Sequence, residues 1–194
     1  MINVASDFDS AKSFGSSDIP VLTPGGHICR ILNARQEKAR SGADMLVIAF
    51  DIEEHGEFDG YYAKRHERAR GYNPDAKWQG IFRTSIMTKE GKTNSFFKGL
   101  IVAVEESNTG YNFKAAQFNE ATLKGKLVGF NFGIEEYLDS KGEIRESVKP
   151  AWAVSVERVR EGIEPPRRKP YQQPAGTAAA EEFTEVHEKL PWDD

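Results

Sequence analysis

Residues 93–107, TNSFFKGLIVAVEES, constrain the fold of this chain more than any other stretch. Phe96, Phe97, Leu100, Ile101 and Val104 recur at three- and four-residue spacings, which on a helix makes one apolar stripe. Thr93 or Asn94 can cap its start, and Gly110 lies just beyond its end. The folded stretches on both sides of this helix read as strands, and a lone helix set among strands limits the architectures available.

Ahead of the helix, Pro24-Gly25-Gly26 signals a turn. A first strand follows at 27–36 (HICRILNARQ), then a polar hairpin connection at 37–44 containing Gly42. The second strand, 45–53 (MLVIAFDIE), is apolar almost throughout, as expected of a strand covered on both faces. Residues 55–80 read as an extended functional connection, with room for a short strand around 61–64. The third strand spans 81–88 (IFRTSIMT). Beyond the helix, 108–123 reads as a loop holding Tyr111, Phe113 and Phe118. In 127–138 (LVGFNFGIEEYL), Val128, Phe130, Phe132 and Ile134 alternate with Gly129, Asn131, Gly133 and Glu135, a half-buried strand with small residues on its other face. A turn at 139–143 leads to a fifth strand over 144–159, which places Trp152 in phase with Val148 and Val154. Pro150 cannot donate to a ladder and so marks an edge or a bulge.

The expected fold is therefore mainly β. Three strands, a helix and two strands within about 140 residues match the five-stranded OB-fold Greek-key barrel, whose helix lies between strands three and four. An α+β sandwich with the same elements is the competing architecture. The expected domains are an N-terminal arm over 1–23, an OB-fold body over 24–162, and a Pro-rich linker with a disordered acidic tail over 163–194.

Charge supports that division. The formal net charge is −4, but residues 171–194 hold six acids against one base, −5 in all, which leaves +1 for residues 1–170. Cys29 is the single cysteine, so neither an internal disulfide nor a cysteine-cluster metal site can form. The first residues lack the charged-then-apolar pattern of a signal peptide, and no apolar run reaches membrane-spanning length; the expectation is a cytoplasmic protein.

Three segments carry a resemblance: PGGHICRILNAR, FFKGLIVAVEESN and LKGKLVGFNFGIEEYL. They are similar to a family of phage and prophage proteins described as single-stranded-DNA-binding proteins. The resemblance covers roughly residues 24–162 and implies an OB-like fold and a role in phage replication or recombination in the host cell cytoplasm. It assigns no DNA-contacting residue.

Enzyme chemistry finds little to use. The four histidines lack metal-ligand spacing, the Gly-Gly and Gly-Lys pairs do not make a phosphate-binding loop, and Cys29 shares its strand phase with His27 as a packed residue would. Acids at strand ends, Glu135-Glu136 and the Asp51/Glu53/Glu54 group, are able to hold a divalent ion, as a nuclease requires, although paired acids there are more often solvated. The expectation is a non-enzyme with no cofactor and no metal.

Binding is better supplied. Single-strand recognition needs cations tracking phosphates and aromatic faces for bases. Residues 61–83 interleave both: Tyr61, Tyr62, Lys64, Arg65, Arg68, Arg70, Tyr72, Lys77, Trp78 and Arg83. Arg35, Lys38 and Arg40 on the first hairpin, and Lys141, Arg145 and Lys149 on the second, complete the DNA-binding candidates. The plainer alternative is a solvated basic loop whose Tyr and Trp cover the barrel end.

The tail supplies partner-binding candidates, Phe183, Leu190, Pro191, Trp192, Asp193 and Asp194. It resembles the acidic, aromatic-tipped C-termini of single-stranded-DNA-binding proteins, which recruit replication and repair enzymes. Here the two aspartates follow the aromatic residue rather than precede it. The expected function is non-sequence-specific coating of single-stranded DNA, with the tail recruiting replication or recombination proteins and homo-oligomerisation left open. The rival is an OB-like interaction adaptor with no DNA affinity, which the near-neutral body favours.

Overall fold

The computed structural model describes residues 5, 6, 8 and 19–172. The partner-binding candidates Phe183 and Leu190 to Asp194 lie outside the described residues. Five strands, β1 (Gly25–Lys38), β2 (Asp44–Ile52), β3 (Ile81–Ser85), β4 (Leu127–Leu138) and β5 (Ile144–Val154), form one antiparallel sheet in the order β3-β2-β1-β4-β5. No ladder joins β3 to β5, so the sheet is open and these two strands are its edges. Among the described residues no helix is long and apolar enough to cross a membrane.

One face of the sheet builds the core. Ile31, Leu46, Ile48, Phe50, Ile52, Val128, Phe130 and Phe132 are fully or almost fully buried, and Phe50 packs against Phe130 at 4.8 Å between ring centroids. The helix α2 (Ser95–Ser107) closes over this face with Leu100, Ile101, Ala103 and Val104. Asn94 caps it, its Oδ1 accepting from Phe96 N–H at 2.8 Å and from Phe97 N–H. Phe96, expected in the stripe, is exposed instead: a stripe four residues apart drifts around a helix of 3.6 residues per turn and leaves Phe96 at its margin, while Phe97 beside it packs on the core.

The other face explains the glycines of β4. Gly26, Gly129 and Gly133 lie there with Asn131 among them, and a third helix, α3 (Val156–Glu161), packs onto Gly26 and Gly129 through Val159. A Cβ on Gly129 would stand 2.5 Å from a Val159 methyl and 2.9 Å from the Val154 carbonyl. The chain then crosses Gly133 at Pro166, accepts at the Glu164 carbonyl from Asn131 Nδ2–H (2.9 Å), and adds Lys169 beside Glu135 as a parallel bridge. Arg168 reaches Glu136 and Glu146. The first residues of the expected linker are thus strapped to the sheet.

Several expectations need correction. Residues 61–70 are a helix, α1 (Tyr61–Arg70), not an extended connection or a short strand. Its cap is not local: Gly60 offers no side chain, and the Asp51 carboxylate at the end of β2 accepts from Tyr62 N–H (2.8 Å) and Ala63 N–H (3.1 Å). Gly25 and Gly26 belong to β1 rather than to a turn. β3 ends at Ser85, followed by an isolated Met87–Thr93 bridge. The fifth strand stops at Val154, where Ser155 caps α3. β5 is an edge strand and its register with β4 slips between Asn131 and Phe132, beside Pro150. That slip puts Trp152 opposite Asn131 on the outer face, out of phase with Val148.

Candidate functional site

The open seam forms a cleft of about 1230 Å³ between the β3 and β5 edges. One bank carries Tyr61, Tyr62, Arg65, Trp78 and β3; the other carries residues 146–151 with Ile134 and Tyr137. Asn94 and Phe96 of α2 and residues 21–24 also line it. Leu22 anchors those leading residues in the core.

Six of the sequence-derived candidates meet here: Tyr61, Tyr62, Arg65, Trp78, Arg83 and Lys149. Their roles differ. Tyr61 and Tyr62 are only 6% and 7% exposed, so neither presents a free ring face. Tyr62 lies edge-on to Phe50, and burial pushes its phenol pKa well above the usual range. Tyr61 Oη accepts from Arg65 Nη1–H at 3.0 Å, and the Arg65 guanidinium lies over the Tyr61 ring. Trp78 is half-buried, its indole N–H shared between the carbonyls of Phe50 (3.2 Å) and Gly80 (3.1 Å). Gly80 is obligatory beneath it, because a Cβ would collide with the Phe50 carbonyl and come within 2.9 Å of the indole nitrogen.

Arg83 is exposed, with no ion pair among the described residues. It shares the outer face of β3, β2 and β1 with Val47 and Arg35, which are cross-strand neighbours in one row. At the ordinary strand spacing the two arginines start about 10 Å apart. Arg35 is held by Glu37 (2.5 Å).

The remaining candidates lie apart from the cleft. Lys38 pairs with Asp44 at 2.8 Å, Arg40 stands in the β1–β2 turn, and Lys141 stands in the β4–β5 turn. Arg145 is drawn to Asp139 (3.2 Å) and Glu143. Lys64, Arg68 and Arg70 project from α1, with Lys64 Nζ–H donating to the Asp59 carbonyl at 2.6 Å. Arg70 and Trp78 border a second, smaller hollow with His66 and Glu67. Tyr72 and Lys77 follow α1, and Tyr72 is exposed. Within the cleft, Lys149 pairs with Glu135 at 2.9 Å.

The acids weighed as metal ligands are all engaged. Asp51 caps α1, Glu53 pairs with Arg30, Glu54 binds His27 Nδ1 at 3.0 Å, and Glu135 and Glu136 meet Lys149 and Arg168. Burial is the leading influence on Asp51 and raises its pKa despite the N–H donors. Among the described residues no group of three or more His, Cys, Asp or Glu side chains converges as a metal site.

Sequence reasoning missed Phe96 and Tyr137, 54% and 43% exposed and both on the cleft. Tyr137 was legible, since it continues the outward phase of Gly133 and Glu135. Phe96 was hidden by its helical spacing.

No family model matches this chain, and no curated protein is similar enough in sequence to count as a relative.

Proposed function

We propose that this protein binds single-stranded DNA in the β3–β5 cleft of an OB-like body, with little sequence preference, in phage-type replication or recombination. The observation that carries this reading is the cleft lining: Arg65, Arg83 and Lys149 against one acid, Glu146, together with exposed aromatic rings. The strand order supports the fold side of the proposal. β4 returns to lie beside β1, giving the 4-1-2-3 neighbour order of a Greek key, and the β3–β5 gap is where such a barrel would close. The acidic segment after Gln172 would recruit replication or recombination proteins.

The test is a titration of fluorescent oligo-dT with the full chain and with a truncation ending at Gln172, which keeps the Tyr171 N–H on Glu136. Three phosphate contacts on a single strand predict a slope of log K against log salt near −2, or a loss of roughly 20-fold between 50 and 200 mM. No binding by either protein at low salt refutes the proposal.

A second reading has its own observation. Among the described residues no strand pairs with the outer edges of β3 and β5, and both border the cleft, so an extended peptide could add to either. This is the adaptor alternative, and it predicts salt-insensitive peptide binding without oligo-dT affinity.

A further inference from the structure

We propose that Phe96 and Tyr137 are the two residues on which the bases of a bound single strand stack. This rests on the nucleic-acid reading above and assigns the division of labour within that site.

Of the aromatic side chains lining the cleft, Tyr61, Tyr62 and Phe82 are buried and belong to the core cluster. Trp78 is packed against that cluster, edge-on to His66, with its N–H consumed by two carbonyls. Among these aromatic rings, Phe96 and Tyr137 alone combine exposure above two fifths with a place on the lining. Among the described residues neither ring packs against another aromatic ring or a cation. Both sit on regular elements rather than on loops. The Asn94 cap fixes the backbone of Phe96 in the first turn of α2. Tyr137 is paired with Arg145 across the β4–β5 ladder, and Asp139 and Glu143 draw that arginine toward the turn.

An exposed ring held by a rigid backbone loses little conformational freedom when a base covers it, and every base offers a π-face. The surrounding charge suits a polyanion: Glu146 is tied to Arg168 at 2.5 Å and Lys149 to Glu135 at 2.9 Å, which leaves Arg65 and Arg83 without an acidic partner among the described residues. Phosphates would then go to Arg83, Arg65 and Lys149, and bases to Phe96 and Tyr137. Tyr61 and Tyr62 would serve as framework.

The experiment measures oligo-dT and an abasic oligonucleotide of equal length against the full chain and its F96A, Y137A and R83Q variants. Removing one stacking ring should weaken oligo-dT binding about 5- to 150-fold. It should leave the salt slope unchanged and narrow the preference for oligo-dT over the abasic strand. F96W and Y137F should retain binding. R83Q should instead make the slope shallower by about 0.7. Thermal melting should be little changed in F96A and Y137A, since both rings are exposed. If the wild type binds oligo-dT but either alanine variant binds within twofold of it, the stacking pair is wrong while the function stands. A loss of affinity that comes with a shallower slope also overturns the assignment. A wild type that does not bind oligo-dT removes the function itself, and the assignment with it.

Discussion

Three glycines on the outer face of β1 and β4 should respond to alanine in a graded order that α3 and the following strap dictate. All three lie in extended backbone that a side chain tolerates, so alanine should gain about 0.5–1 kcal/mol by restricting the unfolded chain. Against that stands what the new methyl meets. At Gly129 it would lie 2.9 Å from the Val154 carbonyl and 3.0 Å from the Ser155 carbonyl, as well as 2.5 Å from a Val159 methyl. Backbone oxygens at the start of α3 cannot swing aside, so the helix must lift. Overpacking of this kind costs about 1–3 kcal/mol, and two rigid carbonyls put Gly129 in the upper part of that range, about 2–3 kcal/mol, leaving a net loss of about 1–2.5 kcal/mol. For a chain of this size that is a drop in Tm of roughly 2–10 °C. At Gly26 the clash is with the Ile163 γ2-methyl at 2.7 Å and with the Val159 methyls at 3.2 and 3.3 Å; these are side-chain atoms only, with no backbone oxygen among them, so the loss should be smaller than at Gly129. At Gly133 the neighbours are Pro166 atoms at 3.0 and 3.2 Å, and a shift of the strap by a few tenths of an ångström accommodates the methyl. G133A should melt close to the wild type or slightly above it. Circular dichroism melts of G129A, G26A and G133A provide the measurement. V159A in the G129A background should recover only part of the loss, because it leaves both carbonyl contacts. A G129A protein that melts at or above the wild type, or a G133A protein that suffers more than G129A, would refute the packing of α3 described above.

Three further outcomes follow from caps and ion pairs. N94A removes the acceptor for Phe96 and Phe97 N–H and should cost about 1 kcal/mol in urea unfolding, whereas N94D should cost much less. D51A strips α1 of its only side-chain cap and leaves the Tyr62 and Ala63 N–H groups unmet, a loss of about 1–2 kcal/mol. Glu136 is held below its ordinary pKa by the Tyr171 N–H and by Arg168. Its folded value is depressed, so its contribution is present above the unfolded carboxylate pKa of about 4.3 and is lost as pH falls through the lower folded value. The wild-type advantage over E136Q in thermal melting should therefore persist at neutral pH and vanish in acid; an advantage that grows in acid would contradict the pairing.

How much of this was readable beforehand differs from element to element. The α2 stripe of Phe97, Leu100, Ile101 and Val104 and the alternation of β4 were explicit, and β4 occupies the span its alternation predicted. α1 was not readable, because only Tyr61 and Tyr62 of its ten residues are buried. A helix with so narrow an apolar face shows no period, and its cap comes from Asp51, ten residues before its start. For the candidate site, the basic and aromatic composition of 61–83 pointed to a segment that borders the cleft, but not to which of its rings are exposed. Tyr61 and Tyr62 turned inward once that segment became helical.

By itself the amino-acid sequence determined the mainly β character, the placing of the long helix between the third and fourth strands, and the small outer face of β4. These follow from local periodicity, which each segment carries with it. Only the tertiary structure decided that the sheet stays open between β3 and β5, that α3 and the strap cover the β4 glycines, and that Phe96 and Tyr137 face one cleft with Arg83 and Lys149. Those features depend on which distant segments meet. The register slip beside Pro150, which reverses the phase of Trp152 against Val148, shows why: a single extra residue exchanges the two faces of a strand, and no pattern within the strand announces it.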